Sequence, residues 1–444
     1  MLRWTLMLVL SVLTTSLLHA SPLKGGVART DITPPVGMDM WGFGARQFPS
    51  QGTIDPLYAR VLVLEGSGKR MAIVALDLGR SFGPDSIKRL RSAAATGDNI
   101  SLVVAAASHT HAGPMISDHY PENKTPDWEL QAIDKIARAI HEAASHLVEV
   151  RIGAGYGKIY LGYNRLLSKL PDNYQAADSP ERFMSSPVDP TVAVLRVDAT
   201  DGKPLAVLVN YACHPVVYSA ENVNYSADYP AVMAKTIETA FDGKPLAFFL
   251  QGAPGDIDPY YANTHNADNP EKARTWTGQQ LGEEAVRVAK TIQTASEPDG
   301  NLDFADETLE FHFRWDTATF HDAYIETWGP QHADQYFPGA SPMVAAPVST
   351  ILINKRIAFA VLPGEPFVEL QEDWRKRCPV PDNFFVGYSD AYLGYIPTIQ
   401  AAARGGYGGS SGGTWLEVGA GERIVNNAII QTYRMLGKFS DKPQ

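Results

Sequence analysis

The chain has 444 residues, of which 45% are hydrophobic and 20% are charged, as in ordinary globular proteins. Acidic residues outnumber basic ones by 49 to 38, which gives a formal net charge of -11 at pH 7. This balance, without any run of lysine or arginine, argues against a nucleic-acid partner. The length allows one large domain or two of medium size.

The first twenty residues have the organisation of a secretory signal peptide. Arg3 supplies a positive charge, an apolar run covers residues 6–18, and Ala20 is a small residue at the expected cleavage point. A retained membrane anchor is the alternative, although the run is short for a membrane span. No other stretch is long and apolar enough to cross a bilayer. We therefore expect a secreted or periplasmic protein with no transmembrane span in the mature chain.

Residues 21–444 are interpreted as a single domain, with a possible break between lobes near residues 296–303. Runs of β type at 57–64 and 71–78 flank a Gly-Ser-Gly turn and predict a hairpin. Further strands are predicted at 103–107, 148–152, 191–197, 204–211, 245–250, 357–362 and 384–388. Helices are predicted at 84–95, 128–147, 229–241, 269–294, 367–377 and 422–438. This alternation predicts an α/β fold with mixed, largely parallel sheets flanked by helices.

Polar clusters follow several of these predicted strands. They are His109/His111, His214, Asp256/Asp258, Glu365 and Tyr395. The carboxyl ends of strands in one sheet meet at an edge where ligands commonly bind. The pattern therefore predicts a shared cleft, with a metal site at the carboxyl ends of the strands.

The pair His109-Thr110-His111 is the densest of these clusters. In an extended segment the two side chains would point to opposite faces. Either one histidine binds a metal while the other faces a substrate, or the backbone bends. Two hydrogen-bonded histidines in a turn are the structural alternative.

Two histidines and a carboxylate form a common catalytic zinc site that leaves a position for water or substrate. Such a metal lowers the pKa of bound water towards about 7. Each member also has a structural interpretation. His214 fits a core histidine with satisfied hydrogen bonds, Glu365 fits a helix cap, and Asp256 fits a turn.

The segment Ser108-His109-Thr110-His111-Ala112-Gly113-Pro114 resembles the histidine motif of the neutral (alkaline, non-lysosomal) ceramidases. The resemblance continues in the same order through Asp31-Ile32-Thr33-Pro34, Asn164-Arg165, His214-Pro215, Gly255-Asp256-Ile257-Asp258-Pro259, Pro363-Gly364-Glu365 and the Tyr395/Tyr407 pair. It covers most of the chain after the signal peptide and implies the catalytic N-terminal domain of that family.

The resemblance also implies roles for individual residues. One zinc ion per chain would be held by His109, His214, Glu365 and Tyr395. The substrate pocket would be lined by His111, Arg165 and Tyr407.

Two features depart from the family pattern. The family has a serine, proposed as nucleophile, where this chain has Asp258. A carboxylate there would act as a general base or orient water, or would bind a hydroxyl or cationic group. We include Asp256 and Asp258 among the catalytic candidates. The chain ends at Gln444, so we also expect the family's C-terminal β-sandwich domain to be missing.

The expected function is a secreted zinc-dependent hydrolase that cleaves an amide of an N-acyl lipid, or an ester, by metal-activated water. A carbohydrate-active enzyme on the same fold, either a lyase or a glycan hydrolase, is one alternative, with Trp128, Trp276, Trp328 and Trp415 as possible sugar platforms. An inactive binding homologue is the other. The substrate is thus a small molecule, lipid or glycan. The oligomeric state and any pairing of Cys213 with Cys378 stay open.

Overall fold

The structure is a computed structural model that describes residues 22–120, 123–166, 187–297, 300–328 and 342–440. The predicted signal peptide lies outside the described residues. The strands are β1 Lys24–Asp31, β2 Gly52–Thr53, β3 Tyr58–Gly66, β4 Lys69–Leu76, β5 Leu102–Ala107, β6 Val148–Lys158, β7 Gly162–Asn164, β8 Thr191–Ala199, β9 Pro204–Tyr211, β10 Asn224–Tyr225, β11 Leu246–Gln251, β12 Ile257–Pro259, β13 Leu302–His312, β14 Met343–Ile353, β15 Ile357–Val361, β16 Glu365–Pro366, β17 Asp382–Val386 and β18 Tyr395–Ile396. The α-helices are α1 Pro84–Asp98, α2 Asp127–Ser145, α3 Tyr229–Ala240, α4 Pro270–Thr291, α5 Thr317–Trp328, α6 Val368–Arg377, α7 Ile399–Arg404 and α8 Ala420–Met435.

Two sheets form the centre of the molecule. The larger has eight strands in the order β11-β9-β8-β6-β1-β3-β4-β5, and the smaller has four in the order β13-β14-β15-β17. Three short pairs, β10-β2, β12-β7 and β16-β18, lie outside them. This arrangement confirms the prediction of a mixed α/β fold.

The expectation that the sheets are largely parallel needs correction. In the larger sheet only β4/β5 and β9/β11 are parallel, and in the smaller sheet only β15/β17 is. The other pairings in these two sheets are antiparallel. The physical reason is that short turns join β3 to β4, β8 to β9 and β14 to β15, and a tight turn reverses the chain direction.

The turn between β3 and β4 confirms the predicted hairpin. Ser67 has φ 49° and Gly68 has φ 73°. Two consecutive positive φ angles are those of a type I′ turn, whose twist matches that of the flanking strands.

Both faces of the larger sheet are buried, as the alternation along β3 illustrates. Val61 and Val63 pack in the cluster that contains the apolar faces of α1 and α2. Leu62 and Leu64 point the other way and share a cluster with β14, β15 and β17 of the second sheet. Burying each such side chain contributes about 1.5–3 kcal/mol. The two sheets therefore pack face to face in the middle of the molecule.

Helices cover the outer faces of both sheets. α3 and α4 pack on the β8–β9–β11 half of the larger sheet, and α6 and α8 pack on the second sheet. The result is a four-layer arrangement of helices, sheet, sheet and helices. Within the described ranges, no helix is long and apolar enough to cross a membrane.

Candidate active site

The backbone bends at the predicted pair of histidines. His109 follows β5 with φ 69°, an uncommon left-handed conformation for a residue with a side chain. The bend brings both rings to one side of the chain, with His111 Nε2 3.1 Å from His109 Nε2. The backbone bend that the sequence left open is therefore observed, together with the contact between the two histidines that the structural alternative describes.

Backbone carbonyls orient His109 and His214. His109 Nδ1 lies 2.6 Å from the carbonyl oxygen of Gly79, and His214 Nδ1 lies 3.0 Å from that of Ile257. A carbonyl oxygen only accepts, so Nδ1 carries the proton in both rings. In the neutral rings both Nε2 atoms therefore carry a lone pair, which is the form that binds a metal.

Glu365 meets these Nε2 atoms on the other side of the site. Its Oε2 lies 3.2 Å from His214 Nε2 and 3.4 Å from His109 Nε2. Burial alone would raise the pKa of Glu365, but the neighbouring histidines hold it well below its usual value. Burial, with Arg165 nearby, lowers the pKa of His214. The Glu365 carboxylate therefore stays ionised beside two ring nitrogens, an arrangement that either a proton on an imidazole or a bound cation stabilises.

The donor atoms present therefore fit a metal ion. His109, His111 and His214 each offer a ligand atom, and these atoms all lie within 4.8 Å of one another. Imidazole nitrogen together with carboxylate oxygen is a donor set that suits zinc. Tyr395 is the register partner of Glu365 in the β16–β18 pair, so the two residues lie side by side.

A guanidinium links the remaining predicted residues. Arg165 Nη1 donates to Asp258 Oδ1 at 3.1 Å, and Arg165 Nη2 donates to Tyr395 Oη at 3.0 Å. The ring of Tyr407, 54% exposed, lies 5.0 Å from this guanidinium and 5.3 Å from the Tyr395 ring. Asp258 Oδ1 is 3.8 Å from His214 Nδ1. All four side chains thus border the histidine and glutamate cluster, with Tyr407 at the solvent side.

Asp256 has a different environment from Asp258. Its Oδ2 accepts from Asn164 Nδ2 at 2.6 Å, and its Oδ1 accepts from the backbone N–H of Val368 at 2.9 Å. Burial raises the pKa of Asp256 to about 6. These contacts join the loop after β11 to the start of α6 and favour a positioning role for this predicted catalytic residue.

The family follows from the match of a sequence profile. The profile described as neutral/alkaline non-lysosomal ceramidase, N-terminal, matches residues 24–287, more than half of the chain. The chain belongs to the neutral/alkaline non-lysosomal ceramidase family. The family resemblance inferred from the sequence is therefore confirmed.

Individual relatives agree with this assignment. The neutral ceramidase of Pseudomonas aeruginosa is 27% identical over 256 residues, which cover 54% of this chain and 37% of that protein. The crystal structure of neutral ceramidase from Pseudomonas aeruginosa superposes with a TM-score of 0.72 at 20% identity, covering 93% of this chain and 75% of the other. A structure titled "Ceramidase complexed with C2" gives 0.73 at 18% identity, covering 96% and 77%. The chain thus has the neutral ceramidase fold and matches 37% of the length of the curated relative.

Two tyrosines of this ceramidase-family site were missed from the sequence. Tyr392 donates to Glu365 Oε1 at 2.5 Å, and Tyr388 donates to Glu365 Oε2 at 3.2 Å. The Tyr388 ring also stacks on His109, with centroids 4.2 Å apart. Both tyrosines therefore fix the orientation of the carboxylate. Tyr388 lies two residues and Tyr392 six residues after the end of β17, and a tyrosine at such a position gives no sequence signal of this contact.

Gln251 is the third missed residue, at the end of β11. Its Nε2 donates to the carbonyl oxygens of Ser108 at 3.0 Å and Cys213 at 2.9 Å. These are the residues directly before His109 and His214. One buried amide thus ties together the ends of the strands that carry both histidines.

The loop before β2 closes the site behind His111. A Cβ at Gly42 would lie 2.3 Å from His111 Cγ and 2.5 Å from its Nδ1. Arg46 Nη2 donates to the backbone carbonyl of His111 at 2.8 Å and Arg46 Nη1 to that of Trp41 at 2.7 Å. Only glycine allows the loop to pack this closely on the histidine ring. This contact was not predicted from the sequence.

The tryptophans considered as sugar platforms have other surroundings. Trp128 is 8% exposed and Trp415 is 4% exposed. Trp276, 40% exposed, packs edge-on against Tyr261. The side chain of Trp328 lies outside the described residues. Cys213 and Cys378 are free thiols, and Cys213 is buried.

Proposed function

We propose that this protein is a secreted zinc-dependent hydrolase of the neutral ceramidase type, which cleaves the amide of an N-acyl lipid such as ceramide, or a related ester. One observation carries the proposal. The Nε2 atom of His214 faces the carboxylate of Glu365 at 3.2 Å, beside His109 and His111. Family membership supports the reaction type, and the N-terminal sequence supports secretion.

The proposed ligands are His109, His214, Glu365 and Tyr395. A zinc ion held by them would supply Lewis acidity and lower the pKa of water towards about 7. The Gly79 and Ile257 carbonyls hold a proton on Nδ1 of the two histidines, which leaves Nε2 as the ligand atom of each neutral ring.

The other site residues bind the substrate and move protons. We assign His111 and Tyr407 to the substrate carbonyl and the charge that develops on its oxygen. Arg165 holds Tyr395 and Asp258 in place beside them. Asp258 takes a proton from the attacking water and passes it on. Water adds to the carbonyl carbon, the C–N bond breaks and the amine leaves with a proton, so one amide and one water give one carboxylic acid and one amine.

The test is metal content by elemental mass spectrometry, combined with hydrolysis of N-acyl lipids. We expect about one zinc per wild-type chain and loss of the metal in His214→Ala. His146→Ala, a substitution at an exposed histidine after α2, should keep the metal. Hydrolysis should stop in a strong chelator and return when zinc is restored. A folded wild-type protein that takes up no zinc contradicts the proposal. Uptake of zinc without hydrolysis of any N-acyl lipid would contradict the proposed reaction and favour a glycan substrate or a binding role.

A further inference from the structure

Arg165 and Asp258 form an ion pair at the edge of the metal-compatible cluster. Arg165 Nη1 to Asp258 Oδ1 is 3.1 Å, and their side chains are only 18% and 12% exposed. Arg165 Nη2 donates to the backbone carbonyl of Gly255 at 2.7 Å as well as to Tyr395. The pair is therefore held in a fixed position and largely shielded from water.

The pair changes what the guanidinium can recognise. An arginine with an open fork of N–H donors is a receptor for carboxylates. Here Asp258 already occupies one arm of that fork, and Gly255 and Tyr395 take the other arm. The rings of Tyr395 and Tyr407 lie 5.5 and 5.0 Å from the guanidinium carbon. A carboxylate of the chain itself thus stands where a substrate carboxylate would bind.

The pair lies beside two side chains of the proposed site, because Arg165 donates to Tyr395, a proposed ligand, at 3.0 Å and its guanidinium carbon is 5.0 Å from the ring of Tyr407. Asp258 Oδ1 is 3.8 Å from His214 Nδ1. A polar group close to the scissile bond, on the amine side or the acyl side, therefore comes near Asp258. Within the part of the chain that the structure describes, the contacts of Asp258 with Arg165 and His214 are both made by Oδ1, which leaves Oδ2 as the oxygen for a substrate donor.

We propose that Asp258 is a specificity-determining residue that selects N-acyl amino alcohols over N-acyl amino acids, an inference that rests on the proposed amide hydrolysis. A substrate hydroxyl donates to Asp258 and leaves its ion pair with Arg165 intact. A substrate carboxylate meets the negative charge of Asp258 in a poorly hydrated place, where juxtaposed like charges are strongly disfavoured. Removing that charge frees Arg165 to receive the carboxylate.

A matched pair of substrates tests this directly. N-dodecanoylethanolamine and N-dodecanoylglycine share the acyl chain and the amide, and differ in carrying a terminal hydroxymethyl or carboxylate group. We expect the wild type to prefer the ethanolamide in kcat/KM by about tenfold or more. Asp258→Asn should reduce that preference by about tenfold, and Asp258→Ser should act in the same direction if the asparagine variant folds poorly. Because both substrates undergo the same reaction, a general loss of kcat cancels in the ratio.

Two controls separate charge from other effects. Asp258→Glu keeps the negative charge and should keep the preference. Asp242→Asn removes one charge from a side chain that is 85% exposed and should also leave the ratio unchanged. An equal ratio in the wild type and Asp258→Asn overturns the inference.

Binding gives the same comparison without turnover. The dissociation constants of both amides are measured by calorimetry on chelator-treated wild-type and Asp258→Asn protein. If neither amide is hydrolysed by the zinc-loaded protein, the proposed function fails for these substrates, while a binding preference lost in Asp258→Asn still supports the inference. Equal binding of the two amides by the wild type, or no binding of either, overturns it.

Discussion

The hydroxyl of Tyr392 donates a 2.5 Å hydrogen bond to Oε1 of Glu365, the oxygen that faces away from the histidines. Oε2, which lies near His109 and His214, accepts the hydrogen bond of Tyr388 instead. Burial and the Glu365 charge raise the pKa of Tyr392, so its phenol keeps the proton that it donates. Tyr392 thus sets which carboxylate oxygen is presented to a metal.

We expect Tyr392→Phe to weaken zinc binding by about 10- to 100-fold, the usual effect of losing a partner that orients a ligand. Competition with a chromophoric chelator measures the affinity. Tyr160→Phe removes a hydroxyl from a ring that is 46% exposed and serves as the control. If both variants bind zinc as the wild type does, the orienting role of Tyr392 is wrong.

The sequence predicted the positions of the proposed ligands better than the residues that hold them. His109, His214 and Glu365 each follow a strand, and that pattern can be read from the chain. The bonds of Tyr388 and Tyr392 to Glu365 cannot, because they depend on a turn in which Tyr388 itself has φ 53°. Side-chain contacts made through such a turn have no periodic signature.

The relative direction of paired strands could not be predicted from the sequence pattern either. Alternation of strands and helices suggested parallel pairing, whereas several neighbours are joined by short turns and pair antiparallel. The mixed α/β class depends only on which helices and strands are present, so that prediction is confirmed. The roles assigned to individual site residues remain predictions, although the structure brings their side chains together.

Gln251 offers a second prediction, since its amide donates to the carbonyls before both histidines. Gln251→Glu keeps the shape, removes the donors and buries a negative charge against two carbonyl oxygens. We expect a loss of roughly 3–5 kcal/mol in the free energy of unfolding, measured by urea denaturation. Gln279→Glu on the exposed side of α4 should change it by about 0.5 kcal/mol or less. Equal stability of the two variants would show that the Gln251 donors are replaceable.

Gly42 tests the packing of the loop on His111. Gly42→Ala places a Cβ 2.3 Å from the ring, at a residue with φ 103°. The ring or the loop must move, so kcat/KM for an N-acyl amide should fall by about 100-fold, as expected for a misplacement near 1 Å. Zinc content should be retained, because His109, His214 and Glu365 are untouched.

The matched control for this variant is Gly68→Ala. Gly68 also has positive φ, 73°, but a Cβ there meets nothing within 4 Å. Gly68→Ala therefore introduces the strain of a positive φ without a clash between Cβ and a neighbouring side chain. The activity of this variant should stay near that of the wild type. An equal fall in both variants would mean that backbone strain, and not contact with His111, determines the effect.

Asp189 carries a prediction about acid stability away from the metal-compatible cluster. Its Oδ2 accepts from Arg375 Nε at 2.7 Å and from Gln371 Nε2 at 2.5 Å, which fastens the start of β8 to α6. Burial by itself would raise the pKa of Asp189, but Arg375 and the hydrogen bonds from Thr191 and Gln371 bring it below its usual value. The native state therefore favours the ionised carboxylate more than the unfolded chain does.

Because the pKa of Asp189 is lower in the folded protein than in the unfolded chain, its ionised carboxylate stabilises the fold at neutral pH. The stabilisation is fully present above the unfolded pKa of about 3.9 and is lost as the pH falls through the lower folded value. Asp189→Asn should reduce the free energy of unfolding by roughly 3 kcal/mol at pH 7, because it leaves the buried Arg375 charge unpaired. The difference in the free energy of unfolding between the wild type and Asp189→Asn should become smaller below about pH 4. Urea denaturation from pH 3 to pH 7 measures this difference, with Asp242→Asn as a control at an exposed residue. A gap that is constant with pH would mean that Asp189 stabilises the fold through its shape and hydrogen bonds alone, not through its charge.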